Sequence, residues 1–324
     1  MTPQDDVRWF APNRFCTLVV PRLQERGLNI ALDGDRPARL AIAMDAQVAG
    51  AAYRYATRHR CALIHYLWDL PPWRLGAGRP DWVWLVRGRY VRLPRPLGGY
   101  AERRGYYSRL HYVAARAREL WVPSAATARD VRERFGLACR EVPYCYDSDR
   151  FVPAPAPGIR PATLLSVSRL VPHKNHAAVI RAAAGFAPPL PVRIIGSGAE
   201  REALERLAAA CGVACSVEGG LSDRAVLEAY WAAGVVVCPS EFEGFGLTPM
   251  EGIACGIPVA ASDIPPHREF LGNAPHYFPV RDAAALVAAI ARARDAPPPL
   301  REVLRELTIE AAARRFFDLL GPLL

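Results

Sequence analysis

The chain has 324 residues, 51% of them apolar and 23% charged, a composition that excludes a disordered protein and predicts about two globular domains. It contains no apolar run near the ~20 residues that a membrane-spanning helix needs. The start MTPQDDVRWF lacks the basic and then apolar order of a signal peptide, so we expect a cytoplasmic protein. Eight cysteines without a CxxC pair or zinc-site spacing predict reduced, buried thiols.

The net charge of +9 belongs to the first half of the chain, because residues 1–150 hold 25 arginines against 15 carboxylates, whereas residues 151–324 have a balance of −1. Residues 79–118 interleave ten arginines with tryptophans and tyrosines. Such a stretch suits an anionic partner, and we expect lipid headgroups at the inner face of a membrane or a phosphorylated acceptor. Nucleic acid is a weaker alternative, and a solvated face in an arginine-rich chain is the plain one.

Taken in chain order, the first half alternates short apolar strands with helices. The predicted elements are strand VRWFAP, helix RFCTLVVPRLQERG, strands LNIALDG and RLAIAM, helix DAQVAGAAYRYATRH, strands CALIHYLW and ELWVPS, and helix AATARDVRERFG. Pro21 predicts a break in the first helix and Gly27 its end, while Ser124 and Gly136 bound the last one.

The proline-rich segment PAPAPGIRP at 153–161 predicts an interdomain linker. After it, strands ATLLSVS, PVRIIG, CSVEG, VVVCPS and PVAAS are separated by helices. Apolar strands that alternate with helices predict parallel sheets covered on both faces, and ligands of such sheets bind at the carboxyl ends of the strands. We therefore expect an α/β chain of two Rossmann-like domains, with the active site in the cleft between them.

One glycine-containing loop stands out in CPSEFEGFGLTPMEGIACGIPV, over 238–259. Gly244 and Gly246 let the backbone approach a ligand, so that its amides can face phosphate or sugar oxygens. Thr248 is predicted as the N-cap of the helix that follows and Pro249 as its first residue, and Gly256 as its end. The amides of that first turn suit an anion, so the loop predicts a phosphate site.

Two carboxylates, Glu243 and Glu251, flank this loop. The sequence TPME has the Ser/Thr-x-x-Glu spacing of a capping box, in which Glu251 would only cap the helix. The alternative is that Glu251 binds a ligand. Spacing alone favours the cap.

The segment SVSRLVPHKNH at 166–176 holds Lys174, the one lysine of the chain beside 40 arginines. A lysine supplies a compact charge on a flexible stem, whereas Arg169 offers a forked contact. Fixed cations of this kind stabilise negative charge that develops on a bound ligand. The plain alternative is an exposed lysine in a loop.

Together, EGFGLTPMEGIACGIPV and SVSRLVPHKN resemble two motif segments of the retaining GT-B glycosyltransferases of family 4, the glycosyl transferases group 1. VRIIGSGAE, EGGLSDRAVLEAYWAAG and ELWVPSAATARDVRERFG are similar to further segments of that family in the same order. The resemblance is strong over about 119–290, thinner over 1–118 and weak at LTIEAAARRF. It implies a GT-B fold with an acceptor domain over 1–152, a nucleotide-sugar domain over 153–306, and a last helix at about 307–324 that packs back on the first domain.

The same resemblance implies an enzyme without metal or cofactor that transfers a hexose, such as mannose or glucose, from a nucleoside-diphosphate sugar. The acceptor would be a glycan, a lipid-linked or another anionic molecule, as in polysaccharide or glycolipid biosynthesis. Arg169 and Lys174 would grip the diphosphate, Glu243 would contact the donor sugar, and Glu251 would accept hydrogen bonds from the ribose. The remaining donor-binding positions are Gly196, which with EGGL at 218–221 would lie near the nucleobase, and the loop residues Gly244, Phe245, Gly246, Leu247 and Thr248.

The first half departs from the family pattern near the candidate acceptor-side residues, which are Asn13, Arg14, His65, Trp68 and Asp69. Asn13 and Arg14 stand where many relatives have glycines, and Trp68 stands where a His-Asp pair of relatives has its histidine. His65 is either a polar group of the active site or a satisfied strand histidine.

Other functions stay open. The Asp-x-Asp triplets at 33–35 and 147–149 are typical of turns, so we predict no metal site. The alternatives to a transferase are a sugar-nucleotide epimerase or hydrolase of the same fold, a pyridoxal-phosphate phosphorylase, for which Lys174 is the one available Schiff-base lysine, and a non-catalytic nucleotide-sugar-binding module.

Overall fold

A computed structural model describes residues 5–70, 110–155 and 160–324, together with the short antiparallel strands β5 (Leu85–Val86) and β6 (Arg89–Tyr90). Most of the basic stretch at 79–118 and the middle of the proline-rich segment at 153–161 lie outside these residues. The chain divides into two compact units, Met1–Tyr144 with Glu310–Leu324, and Cys145–Ile309.

The first unit is built on a parallel sheet of six strands in the order β2-β1-β3-β4-β7-β8. The strands are β1 (Asp5–Phe10), β2 (Ile30–Ala31), β3 (Ala38–Ala43), β4 (Ala62–Tyr66), β7 (Glu119–Val122) and β8 (Arg140–Glu141). Its helices include Val20–Glu25, Ala46–His59, Ala125–Phe135 and the C-terminal Ile309–Leu320.

The helix ends of this unit follow the predicted capping residues. Ser124 Oγ accepts a hydrogen bond from the Thr127 amide at 3.1 Å, and Gly136 ends the same helix in the left-handed conformation. The predicted break at Pro21 is confirmed, because a 3-10 helix, Arg14–Thr17, is separated from the helix Val20–Glu25, which has Pro21 in its first turn.

The C-terminal helix packs against the first unit through Phe316. This ring lies 5.8 Å from Trp9, 5.5 Å from Trp121 and 5.8 Å from Tyr144, measured between ring centroids. Arg315 Nη1 also donates to the Pro143 carbonyl at 2.8 Å. Buried aromatic side chains contribute large apolar areas, so these contacts fix the helix on the sheet.

The second unit has a parallel sheet of six strands in the order β11-β10-β9-β12-β13-β14. The strands are β9 (Leu164–Val167), β10 (Val192–Ile195), β11 (Cys215–Glu218), β12 (Val235–Cys238), β13 (Val259–Ser262) and β14 (His276–Phe278). Every residue of β12 and β13 is buried, as the apolar strand pattern predicts for a sheet covered on both faces.

The helices of the second unit connect these strands. They are His176–Ala184, Arg201–Ala210, Asp223–Trp231, Leu247–Ala254, Pro265–Leu271 and Ala283–Asp295. The strand order reverses between β9 and β12, which are neighbours in the sheet although distant in sequence. A doubly wound sheet binds ligands at such a switch point, outside the carboxyl ends of the strands.

Candidate active site

Two loops meet at the switch point of the second unit. One follows β9 and contains Arg169 and the 3-10 helix Pro172–Lys174, and the other follows β12 and contains Glu243 and Gly246. The Glu241 amide donates to the His173 carbonyl at 2.8 Å and so joins the loops directly.

The structure brings Lys174 and Glu243 into an ion pair, with Nζ 2.5 Å from Oε1 and side chains 13% and 17% exposed. Burial alone would raise the pKa of Glu243, but the charges of Lys174 and His267 and hydrogen bonds from Lys174 and Ser240 outweigh it and hold that pKa below its ordinary value. Glu243 is therefore ionised at neutral pH. The interpretation of Lys174 as an ordinary exposed loop lysine is wrong.

Arg169 lies at the exposed start of the same loop. Its position depends on His176, which is fully buried. The His176 ring bridges Ser166 Oγ at Nδ1, 3.0 Å away, and Ser168 Oγ at Nε2, 2.8 Å away. Burial lowers the pKa of His176 to about 4, so the bridge is made by a neutral ring. The hydrogen bonds of His176 thus fix the backbone segment that carries Arg169.

The helix after the glycine loop begins two residues earlier than predicted. Gly246, at φ 90°, is the N-cap residue of the helix Leu247–Ala254, so the prediction of Thr248 as the N-cap and Pro249 as the first residue is wrong. Thr248 Oγ1 instead donates to the Val167 carbonyl at 2.8 Å and ties the helix start to the end of β9. Glycine fits at Gly246 because left-handed backbone is strained for other residues.

Phe245 and Gly246 face the interior of the unit. The Phe245 ring is 4% exposed and packs edge-on against Phe270, with centroids 4.6 Å apart. A Cβ on Gly246 would lie 2.8 Å from Cδ2 of the fully buried His267. At Phe245 and Gly246 the part of the loop that can meet a ligand is therefore the backbone.

Glu251 is not part of a capping box. Its Oε2 accepts a hydrogen bond from the Tyr230 hydroxyl at 2.5 Å, and the residue at the predicted cap position, Thr248, bonds to β9. Burial raises the pKa of Glu251, and the Tyr230 hydrogen bond and the charge of Arg150 act in the opposite direction. The capping-box interpretation of Glu251, which spacing alone favoured, is wrong.

Gly196 lies where two backbone segments meet. A Cβ at Gly196 would overlap the carbonyl oxygen of Ser168, and one at Gly219 would lie 3.0 Å from the Gly196 carbonyl oxygen. The EGGL segment at 218–221 is therefore adjacent to Gly196 and to the loop that holds Arg169. The Glu218 carboxylate itself is occupied by Arg193, at 2.9 and 2.8 Å.

The acceptor-side candidates belong to the first unit. Asn13 is exposed, and its Oδ1 accepts from the Cys16 amide at 3.2 Å, while the Arg14 side chain lies outside the described residues. Trp68 Nε1 donates to the Met44 carbonyl, which Cys16 Sγ also approaches, and the half-buried Asp69 follows it. The loops after β1 and β4 therefore converge on one carbonyl group.

His65 is fully buried in β4, and neither ring nitrogen has a hydrogen-bond partner among the described residues. Burial lowers the pKa of His65 to about 4, so the ring is neutral. The interpretation of His65 as a strand histidine with satisfied hydrogen bonds is wrong, because the ring lies in the strand but neither nitrogen is hydrogen-bonded among the described residues.

The Asp-x-Asp triplet at 33–35 is engaged locally, since Asp35 Oδ2 lies 2.5 Å from Arg58 Nη1 and Oδ1 lies 3.0 Å from His59 Nε2. Within residues 5–70, 110–155 and 160–324, no group of three or more His, Cys, Asp or Glu side chains could hold a metal ion. No helix in that part of the chain has both the length and the apolar character needed to cross a bilayer.

Sequence reasoning missed two buried polar residues that contact the site. Tyr230 occurs in the predicted helix DRAVLEAYWAAG, where a tyrosine on the apolar side had to find a partner for its hydroxyl. His267 follows β13, and its Nδ1 donates to the Ser262 carbonyl at 2.8 Å. No spacing rule marks a lone histidine in PPHREF, so this residue had no sequence signal.

Residues 153–311 match the sequence profile of the family described as glycosyl transferases group 1. This segment belongs to the glycosyl transferases group 1 family. The resemblance stated from the sequence motifs is thereby confirmed for the unit that contains Lys174, Glu243 and Glu251.

Curated relatives match part of the chain. D-inositol 3-phosphate glycosyltransferase of Geodermatophilus obscurus is 33% identical in a 177-residue alignment that covers 47% of this chain and 39% of that protein. The GDP-mannose-dependent alpha-(1-6)-phosphatidylinositol monomannoside mannosyltransferase of Mycolicibacterium smegmatis is 31% identical in a 162-residue alignment that covers 41% of this chain and 42% of that protein. The chain thus spans less than half the length of these relatives.

Solved structures resemble the whole chain. Sucrose-phosphate synthase of Thermosynechococcus elongatus has a TM-score of 0.73 at 17% identity and covers 99% of both chains. Anabaena HepE in complex with UDP and glucose has a TM-score of 0.70 at 13% identity and covers 98% of this chain and all of that one. At such identities the likeness shows the fold alone, and it confirms the predicted GT-B class of two Rossmann-like parallel sheets.

Proposed function

We propose that the chain is a retaining glycosyltransferase that moves a hexose from a nucleoside-diphosphate sugar to a hydroxyl group of an anionic acceptor. The observation that carries this proposal is the buried Lys174–Glu243 ion pair at the switch point of the second sheet. It joins a cation suited to a phosphate and a carboxylate suited to sugar hydroxyls in one place. The group 1 match of residues 153–311 supports the same activity.

The charges of the site fit the chemistry of a sugar–diphosphate bond. When that bond breaks, negative charge develops on the leaving oxygens, and the cations of Arg169 and Lys174 stabilise it more strongly than they stabilise the intact donor. Glu243 keeps Lys174 in place before the donor arrives, which reduces the cost of ordering a flexible side chain. The exposed Arg169 can close on the diphosphate from the solvent side.

The backbone at Gly246 and the first turn of the helix Leu247–Ala254 supply amide groups to the donor. Glu251 accepts from the ribose. No protein nucleophile is required in this proposal, because the departing diphosphate can take the proton of the acceptor hydroxyl. Attack from the face that the diphosphate leaves retains the anomeric configuration.

The acceptor class is proposed from the relatives and from charge. Two matched relatives are named for inositol phosphate and for phosphatidylinositol mannoside. The arginine-rich first half of this chain suits an acceptor of that kind, a phosphorylated polyol or a lipid-linked glycan. We propose UDP- or GDP-sugars as donors.

Nucleotide binding and transfer are tested together. Thermal unfolding with GDP, UDP, ADP and dTDP should identify the base, because a ligand at 100 times its Kd adds ~2.7 kcal/mol to the free energy of unfolding. The matching sugar nucleotide is then incubated with inositol phosphate or phosphatidylinositol, and the anomer of the product is read by NMR. Lys174→Met should abolish transfer. Donor consumption without an acceptor would indicate an epimerase or hydrolase, and binding without turnover a non-catalytic module.

The basic stretch at 79–118 is proposed to dock the enzyme at an anionic membrane surface. Each arginine near such a surface contributes about 1 kcal/mol of attraction. Replacing Arg103, Arg104 and Arg109 by glutamate should therefore release the protein from vesicles of phosphatidylserine and phosphatidylcholine. The matched control replaces three exposed arginines of the second unit, Arg206, Arg224 and Arg305, by glutamate. If the variant and the control bind the vesicles equally, the proposed docking is refuted.

A further inference from the structure

Tyr230 is a buried tyrosine whose hydroxyl contacts Glu251, a residue of the proposed donor site. Its side chain is fully buried in the helix Asp223–Trp231, and its hydroxyl donates to Glu251 Oε2 at 2.5 Å. The ring is fixed by Phe151, which packs edge-on against it with centroids 5.3 Å apart. The hydroxyl therefore has little freedom to turn away from the carboxylate.

The direction of this hydrogen bond is set by the surroundings. Burial, together with the neighbouring charge and hydrogen bond of Glu251, raises the pKa of Tyr230 well above its ordinary value. The hydroxyl keeps its proton and acts as the donor, and the carboxylate accepts. A hydrogen bond to an ionised group is stronger than one between neutral groups, so Glu251 is held in a single orientation.

This contact leaves Glu251 with one oxygen that Tyr230 does not engage. Oε2 is taken by the tyrosine, and Oε1 is the atom that can accept from a ligand. Without the tyrosine hydroxyl, the Glu251 side chain could rotate away from this orientation.

We infer that Tyr230 is the positioning residue of Glu251, and that its hydrogen bond presents Oε1 to the ribose hydroxyls of the nucleotide. This inference rests on the proposed function, because it gives Glu251 a nucleotide to bind. Tyr230 itself touches no substrate. Its effect is on recognition of the ribose and not on the bond that breaks.

The test compares nucleotides with and without ribose hydroxyls. Dissociation constants are measured by calorimetry for UDP and GDP and for their 2′,3′-dideoxy forms, on the whole chain. Wild type should prefer the ribose form by about tenfold or more, the scale of a hydrogen bond to a carboxylate. Tyr230→Phe should lower this preference about threefold to tenfold, while binding of the dideoxy forms stays the same. In turnover, the variant should raise the donor KM and leave kcat nearly unchanged.

The matched control is Tyr55→Phe, which removes a buried hydroxyl whose partner is the Arg36 carbonyl in the other unit. It should keep the wild-type preference. If the Tyr230→Phe protein does not fold, because its buried carboxylate has lost its hydrogen bond, the test uses Glu251→Gln and the double variant Glu251→Gln/Tyr230→Phe. These two variants should have the same preference for ribose over dideoxy nucleotides, because the tyrosine acts only through the carboxylate. A weaker preference in the double variant overturns the inference.

The outcomes separate the inference from the function on which it rests. If wild type binds neither UDP nor GDP, the proposed function fails and the inference fails with it. If wild type binds and prefers the ribose form, but Tyr230→Phe keeps the same preference, the function stands and the positioning role is overturned. Loss of preference in Tyr230→Phe, with the control unchanged, supports both.

Discussion

Replacing Lys174 by methionine should destabilise the fold by an amount that depends on pH. Methionine keeps most of the stem and removes the charge, so Glu243 is left without its cation. Breaking a fully buried ion pair costs about 3–5 kcal/mol, and breaking an exposed one about 0–1 kcal/mol. With side chains 13% and 17% exposed, this pair lies nearer the buried limit. We expect a loss of roughly 2–3 kcal/mol at pH 7.

The pH dependence has a definite sign. In the wild type the pKa of Glu243 is held below its ordinary value of 4.5, so the stabilisation by the pair is present above that value and is lost as the pH falls through the native pKa. In the variant, burial acts without Lys174 and raises the pKa of Glu243 above the ordinary value. The difference between the two proteins should therefore shrink as the pH falls below 4.5 and grow toward pH 7.

Urea unfolding at four pH values between 4 and 7 measures this difference. The control is Arg193→Met, which breaks the Arg193–Glu218 pair, where both side chains are 30% exposed, and should cost less than about 1 kcal/mol. Adding Glu243→Gln to Lys174→Met should restore part of the stability. A loss that is the same at every pH, or no larger than that of the control, would refute the electrostatic reasoning.

The remaining predictions concern a glycine, a histidine and a threonine. Gly246→Ala should lower the free energy of unfolding in urea by about 2–3 kcal/mol, because its Cβ would contact His267. Gly256 has a similar φ but nothing within 4 Å of an added Cβ, so Gly256→Ala should cost only about 1 kcal/mol. Equal costs would rule out the contact with His267. His65→Leu should gain stability over wild type as the pH falls from about 6.5 to 4, since the unfolded chain takes up a proton there that the buried ring, with its pKa of about 4, does not; a pH-independent difference would contradict this. Thr248→Val should lower the stability by about 1 kcal/mol and weaken nucleotide binding, which calorimetry measures, whereas an unchanged affinity would mean that the tie to Val167 does not shape the site.

The fold was largely predictable because apolar strands and capped helices obey local rules. The helix Ala125–Phe135 begins and ends at the residues that Ser124 and Gly136 predict, because a cap depends on a few neighbouring residues. The strand β2, in contrast, has two residues where LNIALDG predicts a longer strand. It is an edge strand with one neighbour, so pairing rather than propensity determines its length.

The sequence motifs singled out candidate residues for the site, but they did not predict the contacts of those residues. Lys174, Glu243 and Glu251 were chosen by motif, but nothing in the spacing places Lys174 against Glu243 rather than against solvent. The capping-box pattern at Thr248 also matched a real local preference, and the tertiary hydrogen bonds to Val167 and Tyr230 override it. The partners that decide these outcomes lie on other elements, and single-sequence patterns do not register contacts between distant segments.

The ion pair of Lys174 with Glu243 and the hydrogen bond from Tyr230 to Glu251 both lie within the second unit, Cys145–Ile309. Substitutions in the first unit therefore need not preserve any of them. Under the proposed function, in which the first unit binds the acceptor, the first sheet and its basic stretch can change to suit a different acceptor while the second unit keeps these charges.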